Sequence, residues 1–400
     1  LDQRVPSIAL FRRLALLLGL VLFPLTAARG EELEPSGDHA FLILEGKVGE
    51  SAPIQMQLMR EPGDSGGAGM LHGSYHYLSQ RKTLELSGHL DYDDTFELEE
   101  SLPVADAKST GSFKGKWQDG EDGAAIRLTG TWTSADGKRK LPFTLQQVQP
   151  EGSAALDYYY FEESYGRKRG GGYFERRSAL LFPQVRGRSE AASGVNAAIR
   201  RLAAGRGEGE EAPRKGIPTL AQLEDSVRAP MPDAAQRAEM EFSYSSSETY
   251  DDLFRVQLNA AGLLCIRHFH TEYTGGAHGN HWAAHFTFDL STGRQITLDE
   301  LLNPEPKAQL SRLAEAALRE FYGLKPGEAL NSENGPLFEN KFELNDNWFL
   351  TPGGLGFCFI PYEIGPYAAG FIEPVISWEQ LKPLIRPGSP LEKLAGKKPE

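Results

Sequence analysis

The sequence predicts an α+β protein with mostly antiparallel sheet: an all-β meander first, then a region where strands and helices alternate unevenly. Two observations carry this. Short runs of alternating apolar and polar residues recur every roughly 10 to 15 residues between 38 and 148, separated by Gly, Asp and Ser clusters. Beyond Leu156 strand patterns resume, but capping signatures and 3.6-residue periodicity interrupt them.

The N-terminus reads as an export signal. Arg12 and Arg13 precede an apolar run from Leu14 to Leu25, and Thr26-Ala27-Ala28 offers the small residues that signal peptidase requires. Pro24 breaks the helix before the scissile region. A spanning helix needs about 20 apolar residues, more than this run supplies, and no cysteine follows it for lipid attachment. Residues 1–28 are therefore expected to be cleaved. The longest later apolar piece, Gly354 to Pro361, has the size of a buried strand. A periplasmic or secreted protein without a membrane span is expected.

Hydrophobic content of 40% and charged content of 24% suit a globular chain. The net charge of −13 becomes −15 once the signal, itself +2, is removed. Such a surface repels nucleic acid and steers cationic partners toward itself. The charge is uneven: Arg167 to Arg206 is basic and Asp91 to Glu100 acidic. Cys265 and Cys358 fall in separate predicted strands. A disulfide between them requires neighbouring strands with Cα atoms within about 7 Å; two buried free thiols are the alternative.

The first region takes its strands from Ile54–Leu58, Leu84–Leu86, Phe96–Leu98, Phe113–Trp117, Ile126–Leu128 and Phe143–Leu145. These make an antiparallel meander closed as a small barrel or a sandwich. Gly73-Ser-Tyr75, Gly111-Ser-Phe113 and Gly130-Thr-Trp132 share a pattern that reads as aromatic strands leaving turns. Gln149 to Ala154 marks a boundary. Strands follow at Asp157–Glu162 and Tyr173–Pro183 around a Gly170–Gly172 turn. A helix capped by Ser193 then runs to Ala204, and a mobile link covers 203–216.

Strands resume at Glu239–Tyr250, Phe254–Asn259 and Leu263–Tyr273, the last two joined by a turn at Asn259–Gly262, and at Trp282–Leu290. Thr297-Leu-Asp-Glu300 is a capping box. A longer helix follows Pro304, with Leu310, Leu313, Ala314, Ala317, Leu318 and Phe321 as its buried stripe and Gly323 as its terminator. Strands at Phe342–Leu344, Trp348–Leu350, Leu355–Ile360 and Phe371–Ile376 lead to a helix capped by Ser377.

Chemistry-bearing motifs are sparse. His268 and His270, two apart on one strand face, and His278 are the metal candidates. With no HExxH and no paired cysteines, unliganded strand and loop histidines are expected. No GxSxG supports a serine nucleophile. Asp251-Asp252, Glu99-Glu100 and Glu162-Glu163 read as solvated surface rather than a glycosidase pair. Neither a phosphate loop nor a dinucleotide fingerprint is present, so no cofactor is expected. The two glycines of Tyr273-Thr-Gly-Gly-Ala-His-Gly279 suit a tight turn or a loop that presents backbone to a partner.

That loop, Phe288-Asp-Leu-Ser-Thr-Gly-Arg-Gln-Ile-Thr-Leu-Asp-Glu-Leu301, and Leu355-Gly-Phe-Cys-Phe-Ile-Pro-Tyr-Glu-Ile-Gly-Pro-Tyr-Ala-Ala-Gly370 resemble the bacterial DUF3298 family. Leu156 to Tyr273 resembles the DUF4163 (PdaC-type) module that commonly precedes it. The alternation gives an all-β domain at 38–148 that the resemblance does not cover; the resemblance implies a DUF4163-like module at 155–273 and a DUF3298-like module at 274–388, which leaves a tail at 389–400. It further implies a non-enzymatic extracytoplasmic binding module, of the kind that binds lysozyme in an anti-sigma factor of this family. The expected partner is then a basic protein such as a lysozyme-like muramidase, or another cell-envelope ligand. About a dozen residues precede the apolar run, too few for a sigma-binding segment, so a soluble receptor, scavenger or inhibitor is expected. Tyr273, Gly275, Gly276, His278, Tyr362 and Tyr367 are the candidate surface. The rival expectation is a glycan-acting envelope enzyme, a peptidoglycan hydrolase or deacetylase, using the His268/His270/His278 region.

Overall fold

The structure, a computed structural model, describes residues 34–396 apart from 38, 63–67, 81, 103–107, 121–124, 170–171, 206–215, 236–245 and 305–306. The export signal, and part of the expected Glu239–Tyr250 strand, therefore lie outside the described residues. Among the described residues no helix is long and apolar enough to cross a membrane.

Eight antiparallel strands form a closed barrel: β1 (Ala40–Val48), β2 (Ala52–Glu61), β3 (Gly69–Tyr77), β4 (Leu84–Leu90), β5 (Thr95–Ser101), β6 (Ser109–Gln118), β7 (Arg127–Ser134) and β8 (Lys140–Gln147). β8 returns to pair with β1 from Leu44↔Gln147 to Val48↔Phe143, which resolves barrel against sandwich. Alternate side chains fill the interior, among them Met56, Tyr75, Leu98, Phe113, Trp132 and Phe143. The Gly-polar-aromatic triplets sit in mid-strand, not at turn exits as expected. Each glycine shares its strand face with the aromatic two residues on, and it makes room. Gly115 and Gly130 are cross-strand partners, and a Cβ on Gly130 would meet the Lys114 carbonyl oxygen at 2.1 Å.

A five-stranded sheet follows, in the order β13-β12-β11-β10-β9. Its strands are β9 (Leu156–Arg169), β10 (Gly172–Val185), β11 (Ser246–Ala260), β12 (Leu263–Tyr273) and β13 (Asn280–Asp289). Only the β10–β11 pair is parallel. β11 is one long strand where two were expected, with a bulge between Val256 and Leu258. Ala261 and Gly262, both at positive φ, make the two-residue turn into β12.

Two helices cover one face of this sheet: α1 (Glu190–Ala204) and α2 (Leu220–Arg228). α1 is capped by Ser189 rather than Ser193, its hydroxyl accepting from Ala192 N. α2 was not anticipated, although Thr219 and Gln222 form a capping box at its start.

The other face meets two bodies. Met59 and Phe41 of the barrel pack on Tyr158, Leu181 and Leu253. Leu258, Leu263, Cys265 and Ala283 pack into the C-terminal core. That core is built from α3 (Leu298–Leu301), α4 (Lys307–Phe321), β14 (Trp348–Thr351), β15 (Gly354–Phe357), β16 (Val375–Ser377), α5 (Trp378–Leu381) and α6 (Leu391–Gly396). α4 ends as expected: Gly323 at φ 65° lets Leu324 N reach Arg319 O. Phe342–Leu344 is not a strand. Phe342 instead anchors an irregular segment by packing on Phe359.

β13 is an edge strand, and its free backbone groups are covered individually. Asn347 donates to Ala283 O and accepts from His285 N, while Ile296 N and Arg294 O bond Thr287 and Asp289. Such coverage prevents edge-to-edge pairing.

On the face shared by barrel and C-terminal core, Arg255, Arg267 and His285 lie directly opposite one another across β11, β12 and β13. Like charges so placed repel. Glu61 from the barrel takes Arg255 at 2.8 and 3.0 Å, and Glu373 from the C-terminal core takes Arg267 at 2.8 Å. Replacing Glu373 with Ala leaves Arg267 without its carboxylate. We expect a loss of about 3 kcal/mol in urea unfolding, with a smaller loss for Glu373→Gln; equal stabilities of wild type and Glu373→Ala would refute this account.

Candidate binding surface

Three of the six residues singled out in the sequence, His278, Tyr362 and Tyr367, come together, and the other three shape the loop beside them. The β12–β13 loop turns through Gly275 and Gly276, both exposed and at φ 103° and 97°. The Tyr273 hydroxyl closes it by donating to Gly276 O at 3.2 Å. His278 projects from this loop and stacks on Tyr367, ring centroids 4.0 Å apart.

Tyr367 comes from the other side, on the segment between β15 and β16. Its hydroxyl donates to Gly279 O at 2.8 Å and lies 3.2 Å from His281 Nδ1. A phenol has one proton, so the His281 Nδ1–H is the donor in the second bond. Tyr362 flanks Tyr367 at 5.7 Å and is 60% exposed. It holds φ 71°, a left-handed backbone that costs a non-glycine residue about 1 kcal/mol or more. Hydrogen bonds fix this turn: Tyr362 N to Gly365 O, and Ile360 N to the Glu363 carboxylate.

A column of rings runs inward from this surface. His281 packs on Tyr367 and on Phe371, and Phe371 lies under the Arg267 guanidinium at 4.6 Å. Burial, then the neighbouring His278 and Arg267, push the His281 pKa down.

The three candidate metal histidines do not converge. His268 and His270 are buried on the helix-covered face, whereas His281 and the His278–Tyr367 stack belong to the opposite one. His268 Nε2 and His270 Nδ1 both donate to Asp252 Oδ1, at 2.8 and 2.9 Å. Phe254 and Trp282 pack against His268, and Trp282 also stacks on His270. Burial works against the Asp252 carboxylate, but the two imidazole hydrogen bonds outweigh it and hold its pKa well below the usual range. Among the described residues no group of three or more His, Cys, Asp or Glu is placed to hold a metal ion.

The acidic pairs are not simply solvated surface as expected. Asp251 is buried against Arg177, and Glu100 sits inside the barrel accepting from Tyr75, Trp132 and Thr110. Strand parity was the missed signal: Glu100 continues the inward Phe96-x-Leu98 series, and Asp252 precedes Phe254 on its face. Within the basic stretch, Arg176 pairs with Glu248 and Arg186 with Asp157.

Cys265 and Cys358 are buried free thiols, so the bridge left open by the sequence is not formed. The Cys265 sulfur instead faces Leu350 N at 3.5 Å, and Cys358 lies beside Glu373. Burial pushes the Cys265 thiol up to about 11, and burial with the Glu373 charge raises Cys358 as well.

Residues 299–379 match the family model described as "Protein of unknown function (DUF3298)". The match falls within the C-terminal region. Tyr362 and Tyr367 lie inside the matched stretch and His278 precedes it. Among solved structures, the chain is similar to a DUF3298 family member from Bacteroides fragilis at 20% identity and TM-score 0.47, covering 62% of this chain and all of that one. It is also similar to a DUF3298 family protein from Pseudomonas aeruginosa at 17% identity and TM-score 0.42, covering 60% of this chain and 96% of that one. No curated protein matches.

Two outcomes follow from these environments. In the absence of reductant, thiol titration should find no reactive cysteine in the native protein and two per chain after denaturation; a bridged pair would give none. Burial lowers the His285 pKa to about 4, against about 6.5 in an unfolded chain. Between those values the unfolded state binds a proton that the native state does not, so stability falls as pH drops from about 6.5 toward 4. Glu373, held below its usual range by Arg267 despite burial, extends the loss to lower pH. Urea midpoints measured against pH should show this slope, and His285→Gln should flatten its upper part.

Proposed function

We propose that this chain is an exported, non-enzymatic binding protein whose contact surface is the patch of His278, Tyr362 and Tyr367. The observation that carries the proposal is the assembly of that patch. Two distant chain segments are bonded together, through the Tyr367 hydroxyl on Gly279 O, to hold rings outward rather than into the core. Exposed aromatics on a rigid frame lose little entropy on docking, and Tyr is enriched at interface hot spots. A left-handed Tyr362 belongs to the class of strained positions that functional surfaces tolerate.

In this reading residues 1–28 are the cleaved signal, the protein works in the periplasm or outside the cell, and residues 155–273 are a DUF4163-like module. The ligand that the family resemblance suggests is a lysozyme-like muramidase. Titrating the mature protein with lysozymes of several types, followed calorimetrically, tests it. Tyr362→Ala should weaken binding by about tenfold or more with the melting temperature little changed. Failure to bind any muramidase would sink the ligand assignment, and turnover of peptidoglycan fragments would favour a glycan-acting enzyme instead.

A further inference from the structure

We infer that the outer edge of β9 is a self-association site, at which a second copy of this chain adds its own β9 antiparallel and extends the sheet across both molecules. The site stands apart from the ring patch and uses none of its residues. β9 is the last strand in the order β13-β12-β11-β10-β9, and its 14 residues pair with β10 without a break in register. Ser36 N donates to Tyr158 O at 2.7 Å from outside the sheet, which fixes the parity: Tyr158 and every second residue after it turn their backbone groups outward. Pro183 agrees with this, since it lies opposite Tyr158, where β9 asks for no N–H. Among the described residues nothing bonds the outward N–H and C=O groups of Glu162, Ser164, Gly166 and Lys168. The edge at β13 is covered group by group, whereas this one is left as a template for another strand.

The sequence of β9 identifies the occupant. Residues 162–169 read Glu-Glu-Ser-Tyr-Gly-Arg-Lys-Arg, acidic first and basic last. Two such strands, antiparallel about a two-fold axis at Tyr165, place Glu162 opposite Lys168 of the partner subunit and Glu163 opposite the partner's Arg167. The symmetry repeats both pairs. Moving the axis one residue either way leaves at most half of these pairs. Moving it by two sets Glu163 on Glu163, or Arg167 on Arg167, and like charges so placed repel. With the axis at Tyr165, the hydrogen-bonded pairs are Glu162 with Lys168 and Ser164 with Gly166, the residues whose outward groups are open. Glu162, Ser164 and Lys168 are exposed. Glu162 meets Arg177, and Glu163 meets Arg228, each through Oε2 at 3.3 Å, which leaves Oε1 for a second cation. Pairing spans residues 161–169, because each β9 ends at Arg169, and so stops short of Tyr158, where Ser36 closes the edge. Charges on an edge strand ordinarily discourage pairing. Here they reject most strands and admit one of the same sequence.

The test is analytical ultracentrifugation of the intact mature chain from about 1 to 200 μM. A dimer is expected, weakening severalfold in about 0.5 M salt. Ser164→Pro removes an N–H that no strand of its own chain uses, so it should melt near the wild-type temperature and sediment as a monomer. Lys168→Glu and Glu162→Lys should each associate about tenfold more weakly than wild type. An equimolar mixture of those two variants should recover the association, because each restores the other's cross-strand pairs. Tyr165→Cys puts a thiol on the two-fold axis, at a non-hydrogen-bonded pair with Cα atoms about 4.5 Å apart, and should give a disulfide-linked dimer on oxidation. A monomer at every concentration overturns the inference, as does a dimer that Ser164→Pro leaves intact. Failure of the mixed charge variants to recover, or of Tyr165→Cys to cross-link, overturns the pairing as well.

Discussion

The row of Arg255, Arg267 and His285 across the central sheet determines how the rest of the molecule is arranged. No carboxylate within those strands answers the two guanidinium groups; the barrel supplies Glu61 and the C-terminal core supplies Glu373. Each neighbour thus completes part of the sheet's electrostatics, and its removal would leave a partly buried charge without a partner. The third member of the row escapes repulsion differently. His285 stays neutral, hydrogen-bonded to Asn347 and stacked on Phe349, both from the C-terminal core. Apolar packing at the two contacts is non-directional, whereas these pairs specify which surfaces meet.

The same row connects the fold to the candidate surface. Arg267 contacts Phe371, Phe371 contacts His281, and His281 supports Tyr367 beneath the exposed rings. The patch is therefore anchored to the ion pair that docks the C-terminal core. Its outer members rest on a frame whose position is set by the Arg267–Glu373 contact. In the binding reading proposed above, rings placed in advance would reduce the ordering cost of association.

Much of this was legible in the sequence where the signal is local. Strand alternation located every barrel strand it was applied to, and the capping box at Thr297 and the cap at Ser377 marked helix starts because such signals lie within a few residues of one another. Signals that depend on partners distant in sequence were not legible. Alternation could not say whether the meander closes, because closure rests on β1 meeting β8 about a hundred residues away. Asp251, Asp252 and Glu100 looked like surface because their Arg, His, Tyr and Trp partners are supplied by other strands. The cysteines could not be resolved for the same reason. The loop glycines and the Tyr362–Tyr367 turn were visible as special backbone, but their union depends on one hydroxyl reaching across 88 residues of sequence to Gly279.

The distribution of perturbed groups bears on which function to favour. Catalytic acids, bases and nucleophiles have shifted pKa values in places that substrate can reach. Among the described residues the shifted groups include Asp252 beneath the helix-covered face, Glu373, Cys358 and His285 in the seam between sheet and C-terminal core, Tyr75 inside the barrel, and Tyr158 and Tyr160 on β9. Burial is the largest influence at each: it raises the tyrosines and Cys358 and lowers His285, whereas hydrogen-bonded and charged partners hold Asp252 and Glu373 down against it. The exposed, deliberately assembled part of the molecule is instead a set of rings. An open surface held in place by fixed hydrogen bonds is the feature that the proposed binding reading uses.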